Sequence, residues 1–286
     1  MNGMTRVAFG FVAYLVLFTC TIPPTPLHAD EPLDAREQER QQRLEYLTGQ
    51  ARGYAMSLAG QPDTSLSLEE RPVLRYTNPV RNFFTDGVVF LWRHDSEPAV
   101  LGALSVRGDG NVFCEFASLT SNPLHCELGL RRAWTPKKES QVNVPLKVRL
   151  PQASDTRRQT LAMRQLIRRF SVSMYEVEDP DQKQQLRRLT SPLVQWSDPS
   201  DGSLIMCFGF AETNDPEALV LLHHTPNPDG KADSWTYTLS RMTSRPLAFE
   251  LDGKVIHEVK PYWKNPQSDT DSYLERRLGE YPTDGS

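Results

Sequence analysis

The nonapeptide "TSNPLHCEL" (Thr120–Leu128) recurs as "TSRPLAFEL" (Thr243–Leu251), with six of nine positions identical at a separation of 123 residues. The similarity extends backwards, because "RPVLRYTNP" (Arg71–Pro79) matches "SPLVQWSDP" (Ser191–Pro199) at an offset of 120 residues. The apolar run "DGVVFLW", which begins at Asp86, then matches "DGSLIMCFGF" in the same order. We interpret this shared order as the duplication of one structural unit along the chain.

Apolar residues at helical spacing precede each set of predicted strands. They are Leu44, Leu47, Ala51, Ala55 and Leu58 in the first copy and Met163, Leu166, Phe170, Met174 and Val177 in the second. A helix before a meander leaves no βαβ crossover within a copy, so we predict an α+β fold. Its two tandem copies would each be a helix followed by an antiparallel β-meander. We favour copies fused as a pseudo-twofold unit, through paired edge strands, over two separate domains.

The predicted boundaries divide the chain into four segments. With 286 residues, the chain has room for one large domain or two of ordinary size. We assign residues 1–29 to a signal peptide, 35–150 to the first helix-plus-sheet repeat, 155–265 to the second and 266–286 to a C-terminal tail.

The N-terminus carries the pattern of a secretory signal peptide. A short segment ending in Arg6 precedes the apolar run Val7–Phe18, and the small residue Ala29 comes before a charged segment. The apolar run is shorter than the ~20 residues that span a bilayer, so we expect no membrane span. We therefore expect an exported protein, periplasmic or extracellular, whose mature chain begins near Asp30. The alternative is a lipoprotein anchored at Cys20, because "LFTC" faintly resembles a bacterial lipobox.

Composition indicates a globular chain and gives no sign of nucleic-acid binding. Apolar residues make up 38% and charged residues 24%, which is enough to fill a core. The formal net charge is −4, and the sequence pI is about 5.9. Proteins that bind nucleic acid usually carry a basic patch and a high pI, so we expect no nucleic-acid partner.

Cys114 and Cys126 are the candidate disulfide of the sequence. They lie symmetrically about Thr120, near the tip of a predicted hairpin, where cross-strand contact is geometrically reasonable. The matching positions of the second copy are Tyr237 and Phe249, an aromatic pair. We read a cross-strand structural pair, either a formed disulfide or two buried free thiols. We do not expect a catalytic cysteine, because alternation along a strand separates Cys126 from its neighbouring histidine.

Other polar motifs have structural explanations that we prefer. "NPDGKAD" offers Asn227, Asp229 and Asp233 at spacings reminiscent of calcium loops, but it lacks the full EF-hand pattern, so we predict a hairpin turn. The "RGD" at Arg107–Asp109 coincides with a turn that favours Asp-Gly. We expect no metal and no cofactor. We interpret the histidines of the mature chain as turn and surface residues: His94, His125, His223, His224 and His257.

The region of the second predicted helix is basic. Its cationic residues are Arg157, Arg158, Arg164, Arg168, Arg169, Lys183, Arg187 and Arg188. A charged face exposed to solvent is the usual explanation of such a set, and nearby acidic residues dilute it. The alternative is a surface that binds an anion or a partner.

The strand and turn motifs resemble those of a family of uncharacterised exported proteins abundant in planctomycete bacteria. The motifs that carry the resemblance are "LRYTNPVR", "GVVFLW", "LTSNPL", "VQWSDP" and "RMTSRPL", and they cover most of the mature chain. The resemblance implies bacterial export. It implies no activity and no catalytic residue.

Two functional hypotheses follow, and the sequence does not choose between them at the level of chemistry. The first is a non-catalytic binding or scaffold protein of the periplasm or cell surface, whose partner is an envelope protein or a small molecule. The alternative is a hydrolase acting on an exported polymer, with its site where the two copies differ, first of all in the loop Asn82–Asp86. We lean against an enzyme, because no Gly-x-Ser-x-Gly, Walker, Rossmann or HExxH pattern occurs in the sequence.

Overall fold

Strands dominate the protein, because β-branched and aromatic residues, which pack well on a pleated surface, fill most segments between turns. The computed structural model describes residues 33–78, 85–128, 131–137, 142–147, 155–177, 179, 181–227, 229, 232–262 and 269–282. Strands account for 53% and helices for 15%. The prediction of antiparallel sheet is confirmed.

The first half of the chain contains one helix and ten strands in its described residues. They are α1 (Leu33–Arg52), β1 (Ala55–Leu58), β2 (Gln61–Ser65), β3 (Ser67–Leu68), β4 (Leu74–Asn78), β5 (Thr85–His94), β6 (Glu97–Arg107), β7 (Asn111–Ser118), β8 (Leu124–Leu128), β9 (Arg131–Trp134) and β10 (Val144–Pro145).

The second half begins with α2, which starts after Asp155 because the Asp155 Oδ1 accepts a hydrogen bond of 2.8 Å from the Arg158 backbone N–H. One 3₁₀ turn (Ile167–Arg169) follows it. The elements are α2 (Thr156–Leu166), β11 (Phe170–Tyr175), β12 (Lys183–Gln185), β13 (Arg187–Arg188), β14 (Val194–Ser197), β15 (Leu204–Ala211), β16 (Pro216–Thr225), β17 (Ser234–Arg241), β18 (Leu247–Leu251), β19 (Lys254–Val259) and β20 (Tyr273–Glu280).

The predicted fold class is wrong. The protein is mostly β, with four sheets and only two α-helices in its described part, and it is not two tandem copies of a helix followed by a meander. Ala55 and Leu58, which we assigned to the first helix, lie in β1, and Phe170 and Met174 lie in β11. A spacing of four residues returns to the same face of a helix and of a strand alike, so that spacing did not distinguish the two.

Each half contains two sheets, because β8 pairs with β1 and not with β7. In the same way, β18 pairs with β11 and not with β17. In the first half the orders are β2-β1-β8-β9 and β20-β7-β6-β5-β3, with β4 also paired to β5. In the second half they are β12-β11-β18-β19 and β10-β17-β16-β15-β13, with β14 also paired to β15. Both nonapeptides form a bend that runs into a five-residue strand, β8 or β18.

The two six-stranded sheets exchange their edge strands. β10 follows the strands of the first half but pairs with β17, where Val144 lies opposite Tyr237. β20 follows the strands of the second half but pairs with β7, where Tyr273 lies opposite Ala117. Each six-stranded sheet is therefore completed by a strand from the other half of the chain.

The apolar core lies in three layers between the sheets. The middle layer joins the two six-stranded sheets, for example through Leu91 and Leu101 from one and Leu219 and Leu221 from the other. The two outer layers each lie between a six-stranded sheet and the four-stranded sheet of the same half. Both faces of each six-stranded sheet are thus covered, which explains the continuous apolar runs of β5, β6, β15 and β16.

The described residues from Arg40 onward form one compact unit. No helix in the described ranges is long and apolar enough to cross a membrane. The predicted signal peptide 1–29, together with Cys20, lies outside the described residues. The predicted boundaries at 35–150, 155–265 and 266–286 stay predictions.

Candidate functional site

A cavity of about 320 Å³ opens beside the second four-stranded sheet. Leu239 of β17 and Phe249 of β18, both buried, form part of its apolar lining. His257 and Val259 of β19 line it from the neighbouring strand, and Asp271 lines it from the segment before β20. Small-molecule sites commonly combine a concave apolar lining with a few polar groups in this way.

The strand registers identify the positions of the first half that correspond to the cavity lining. His257 of β19 lies opposite Phe249 of β18. Trp134 of β9 lies opposite Cys126 of β8 in the same arrangement. Trp134 therefore stands in the first half where His257 stands in the second.

Smaller side chains line the cavity at the positions that a stacked aromatic pair occupies in the first half. In the first half the rings of Phe116 and Trp134 stack with centroids 5.8 Å apart, and both side chains are fully buried. Phe116 lies opposite Gly102 in β6, and Leu239 lies opposite Val220 at the matching place in β16. Leucine and histidine thus leave open the space that phenylalanine and tryptophan fill.

Charged and polar groups surround the apolar part of the cavity. Lys260 and Glu258 are exposed at its border. Asp271 Oδ1 accepts a hydrogen bond of 3.0 Å from the Tyr273 backbone N–H, which orients that carboxylate. Tyr262, which is buried, contributes a further aromatic side chain.

Arg241 fixes the backbone around the cavity. Its Nε donates to the Thr243 carbonyl at 2.7 Å, Nη1 to the Lys260 carbonyl at 2.8 Å, and Nη2 to the Arg245 carbonyl at 3.1 Å. The guanidinium carbon lies 4.9 Å from the centroid of the Tyr273 ring, a cation–π distance. Burial lowers the pKa of Arg241 from its ordinary value. Arg241 is therefore a positioning residue that ties the cavity wall to β17.

A layer of buried polar residues adjoins the cavity where β20 meets β7. The Tyr273 hydroxyl donates to Glu115 Oε1 at 2.5 Å, and Arg107 Nη2 lies 3.0 Å from Glu275 Oε1. Burial, and then the charge of Glu275, raise the pKa of Glu115 well above its usual range. These side chains bind β20 to the first half and so hold Asp271 at the cavity.

Cys114 and Cys126 are both buried and lie in one core cluster. They do not sit on paired strands, since β7 belongs to the six-stranded sheet and β8 to the four-stranded sheet. Burial, and then the neighbouring Cys114, raise the pKa of Cys126, so its thiol is poorly reactive. The predicted disulfide between these two residues stays a prediction.

Asn227, Asp229 and Asp233 do not converge on one point. Asp233 Oδ2 lies 2.9 Å from His224 Nε2, and its Oδ1 accepts from the Asn227 backbone N–H at 3.2 Å. The Asp229 backbone N–H donates to Asn227 Oδ1 instead. Within the described residues no group of three or more His, Cys, Asp or Glu side chains could hold a metal ion. His224, with 0% of its side chain exposed, is out of reach of a substrate.

The "RGD" turn does not present its arginine to solvent as an adhesion motif would. The Arg107 guanidinium pairs with Glu275 and lies over the Phe113 ring, 3.5 Å from its centroid. Asp109 accepts a hydrogen bond of 3.0 Å from the Asn111 backbone N–H. The loop predicted as a hydrolase site lies largely outside the described residues, which resume at Thr85.

Apart from the exposed Arg157, the basic residues around α2 divide into two groups. Some have partners within the protein: Arg158 with Asp155, Arg169 with Asp252, Lys183 with Glu250, and Arg187 with Thr213 and Asn214. Three others line a second cavity of about 160 Å³: Arg164, Arg168 and Arg188. The basic residues identified from the sequence include these three arginines. The sequence does not predict that they line one cavity.

The cavity beside His257 was not predicted from the sequence. The signal was present, because aligning the two nonapeptides and continuing at the same offset places His257 against Trp134 and Leu239 against Phe116. Comparison with known proteins found no matching family model, no matching curated protein and no matching solved structure. We therefore infer the function from the geometry of the residues that line the cavity beside His257.

Proposed function

We propose that this chain is a non-catalytic binding protein that holds a small molecule with a flat apolar ring in the cavity beside His257. The observation that carries the proposal is the replacement of the stacked Phe116–Trp134 pair by Leu239 and His257. An unfilled apolar space forfeits packing contacts, so the native protein bears a cost that a ligand would offset. The ligand ring would occupy the place that the Trp134 indole has in the first half.

The lining also limits the polar part of the ligand. The Phe249 and His257 rings lie 6.0 Å apart and offer aromatic surface. Lys260 supplies a positive charge at the border, while Asp271 and Glu258 supply negative charges. A ring that carries a charged substituent fits this arrangement better than a wholly apolar molecule, because the substituent stays near solvent and opposite charge.

A set of indole compounds tests the site, because they share one ring and differ in charge. We expect saturable binding of indole-3-acetate or tryptamine by isothermal titration calorimetry, and weaker binding of uncharged indole. The double variant Leu239→Phe and His257→Trp rebuilds the aromatic pair of the first half, so it should abolish binding. The same variant should raise the free energy of unfolding by about 1 kcal/mol, because it fills a cavity.

The matched control makes the same two chemical changes away from the cavity. Leu161 of α2 is 57% exposed, and His94 lies at the end of β5, so the variant Leu161→Phe and His94→Trp should leave binding unchanged. Equal binding by both double variants, or no saturable binding of any of the three compounds, would contradict the proposal.

Export remains part of the proposal, and its support is the signal-like pattern of residues 1–29 and the resemblance to exported proteins. A periplasmic or cell-surface location suits a protein whose partner is a small molecule of the envelope. The alternative, a hydrolase acting on an exported polymer, has less support, since the buried His224–Asp233 pair has no access to a polymer.

A further inference from the structure

The second cavity brings three arginine side chains to one concave space. Arg164 belongs to α2, Arg168 to the 3₁₀ turn that follows it, and Arg188 to β13. Ile167 and Phe208, both buried, also line the cavity. The cavity of about 160 Å³ has room for one small group and not for an extended ligand.

The three positive charges have no counter-charge within the described part of the chain. No hydrogen bond or ion pair joins Arg164, Arg168 or Arg188 to another described residue. Neighbouring cations differ in this respect, since Arg169 donates two hydrogen bonds to Asp252. Burial is the main cause that lowers the pKa of Arg188, and the positive charge of Arg168 lowers it further.

An anion in the cavity would offset the repulsion between the positive charges of these arginines. The guanidinium group is a planar fork that donates paired hydrogen bonds to oxyanions, and it keeps its charge at all physiological pH values. The buried Ile167 and Phe208 give part of the cavity an apolar lining, while Arg164 and Arg168 are exposed to solvent. The Thr190 hydroxyl at the border adds a further donor.

We propose that Arg164, Arg168 and Arg188 bind a tetrahedral dianion, either the phosphate monoester group of a small ligand or the free sulfate ion. Three cations around a space of this size match a compact group with two negative charges better than a planar monocarboxylate. The site is separate from the cavity beside His257, and the inference does not depend on the function proposed for that cavity.

Titration of the purified full-length chain with inorganic phosphate, inorganic sulfate and acetate, at constant ionic strength, tests the site. We expect saturable binding of phosphate or sulfate with a Kd below about 1 mM, and acetate at least about tenfold weaker. Tighter binding of phosphate points to a phosphate ester and tighter binding of sulfate to the free sulfate ion, and either result supports the proposal. Equal binding of acetate, or no saturable binding of either dianion, overturns it.

Single variants locate the anion. Arg168→Gln and Arg188→Gln should each weaken binding by about tenfold or more. Arg157→Gln is the matched control, because Arg157 is exposed on the same helix and does not line the cavity, so it should change the Kd by less than about twofold. An equal loss in all three variants would show that only the general positive charge of this region matters, and it overturns the proposal.

Chemical protection gives a second measurement that needs no variant. Phenylglyoxal modifies accessible arginines, and saturating phosphate should slow its reaction with Arg168 and Arg188 while leaving Arg157 unaffected. Mass spectrometry of the digested protein gives each rate separately. Unchanged rates at Arg168 and Arg188 overturn the proposal even if a variant loses affinity.

Discussion

His223 lies on the side of β16 that faces the middle core layer. It lies opposite Ile205 in β15 and Thr236 in β17. Its ring Nε2 is buried and has no hydrogen-bond partner among the described residues. Burial lowers the pKa of His223 to about 4, because desolvation disfavours the charged imidazolium.

The lowered pKa of His223 predicts a loss of stability in mild acid. Below pH 6.5 the unfolded chain takes up a proton at this residue, whereas the folded chain does so only near pH 4. The free energy of unfolding should therefore fall as the pH drops from 6.5 towards 4, by about 2 kcal/mol at most between pH 7 and pH 5. The variant His223→Gln should lose less stability than the native protein over the same interval, as measured by urea unfolding at each pH.

The exposed His125 provides the control for that experiment. Its side chain is 41% exposed, so His125→Gln should leave the pH dependence as it is in the native protein. Comparing variants also removes the contribution of Glu115, whose raised pKa acts in the opposite direction and favours the folded state at low pH. Identical pH dependence of the native protein and His223→Gln would contradict the prediction.

Gly102 in β6 makes room for the aromatic cluster of the first half. A Cβ atom at this position would lie 2.4 Å from Phe116 Cε1 and 2.7 Å from Trp92 Cζ3. Gly102→Ala should therefore lower the free energy of unfolding by about 1–3 kcal/mol, through overpacking. Gly49→Ala is the control, because Gly49 is exposed in α1 with no atom within 4 Å of the added Cβ. It should raise stability by about 1 kcal/mol, and a similar loss in both variants would argue against a steric origin.

At the scale of the element, turns and strand cores were predictable and element ends were not. The matched stretches Arg71–Pro79 and Ser191–Pro199 and the apolar runs from Asp86 and Asp201 indicated strands that the structure contains as β4, β5, β14 and β15. α1 ends at Arg52 and α2 at Leu166, earlier than the apolar spacing predicted, because a strand begins within four residues of the end of each helix. Neither edge strand of the exchange was predicted, since β10 has two residues and β20 lies in the segment assigned to a tail.

β20 is the element whose loss should matter most. It places the buried Tyr273 and Leu274 against β7, and burying two such side chains contributes on the order of 4 kcal/mol. A chain that ends at Ser272 should have a lower free energy of unfolding, and it should self-associate through the exposed edge of β7. Analytical ultracentrifugation and thermal unfolding measure both effects.

A chain that ends at Pro282 is the control for this truncation, because it keeps all of β20. It should behave as the full-length protein does. A synthetic peptide of residues 273–282, added in excess to the chain that ends at Ser272, should restore the monomer by occupying the edge of β7. A monomeric, fully stable chain ending at Ser272 would show that β20 is dispensable.

At the scale of the whole molecule, the partners of each strand were beyond the reach of sequence periodicity. Alternation fixes which face of a strand is buried, but it does not say which strand lies beside it. The cavity beside His257 depends on strand pairing, because Leu239 and Asp271 meet there only after β20 has paired with β7. The same limit applies to the arginine site, where Arg188 reaches Arg164 and Arg168 only because β13 pairs with β15 beside α2.

The edge-strand exchange also sets the order of events during biosynthesis. Tyr273 and Glu115, which share a hydrogen bond, are 158 residues apart in the chain. A ribosome therefore makes β7 long before β20, and the first six-stranded sheet stays one strand short throughout that interval. Closing so long a loop is entropically costly and slow, so this sheet is completed late in folding.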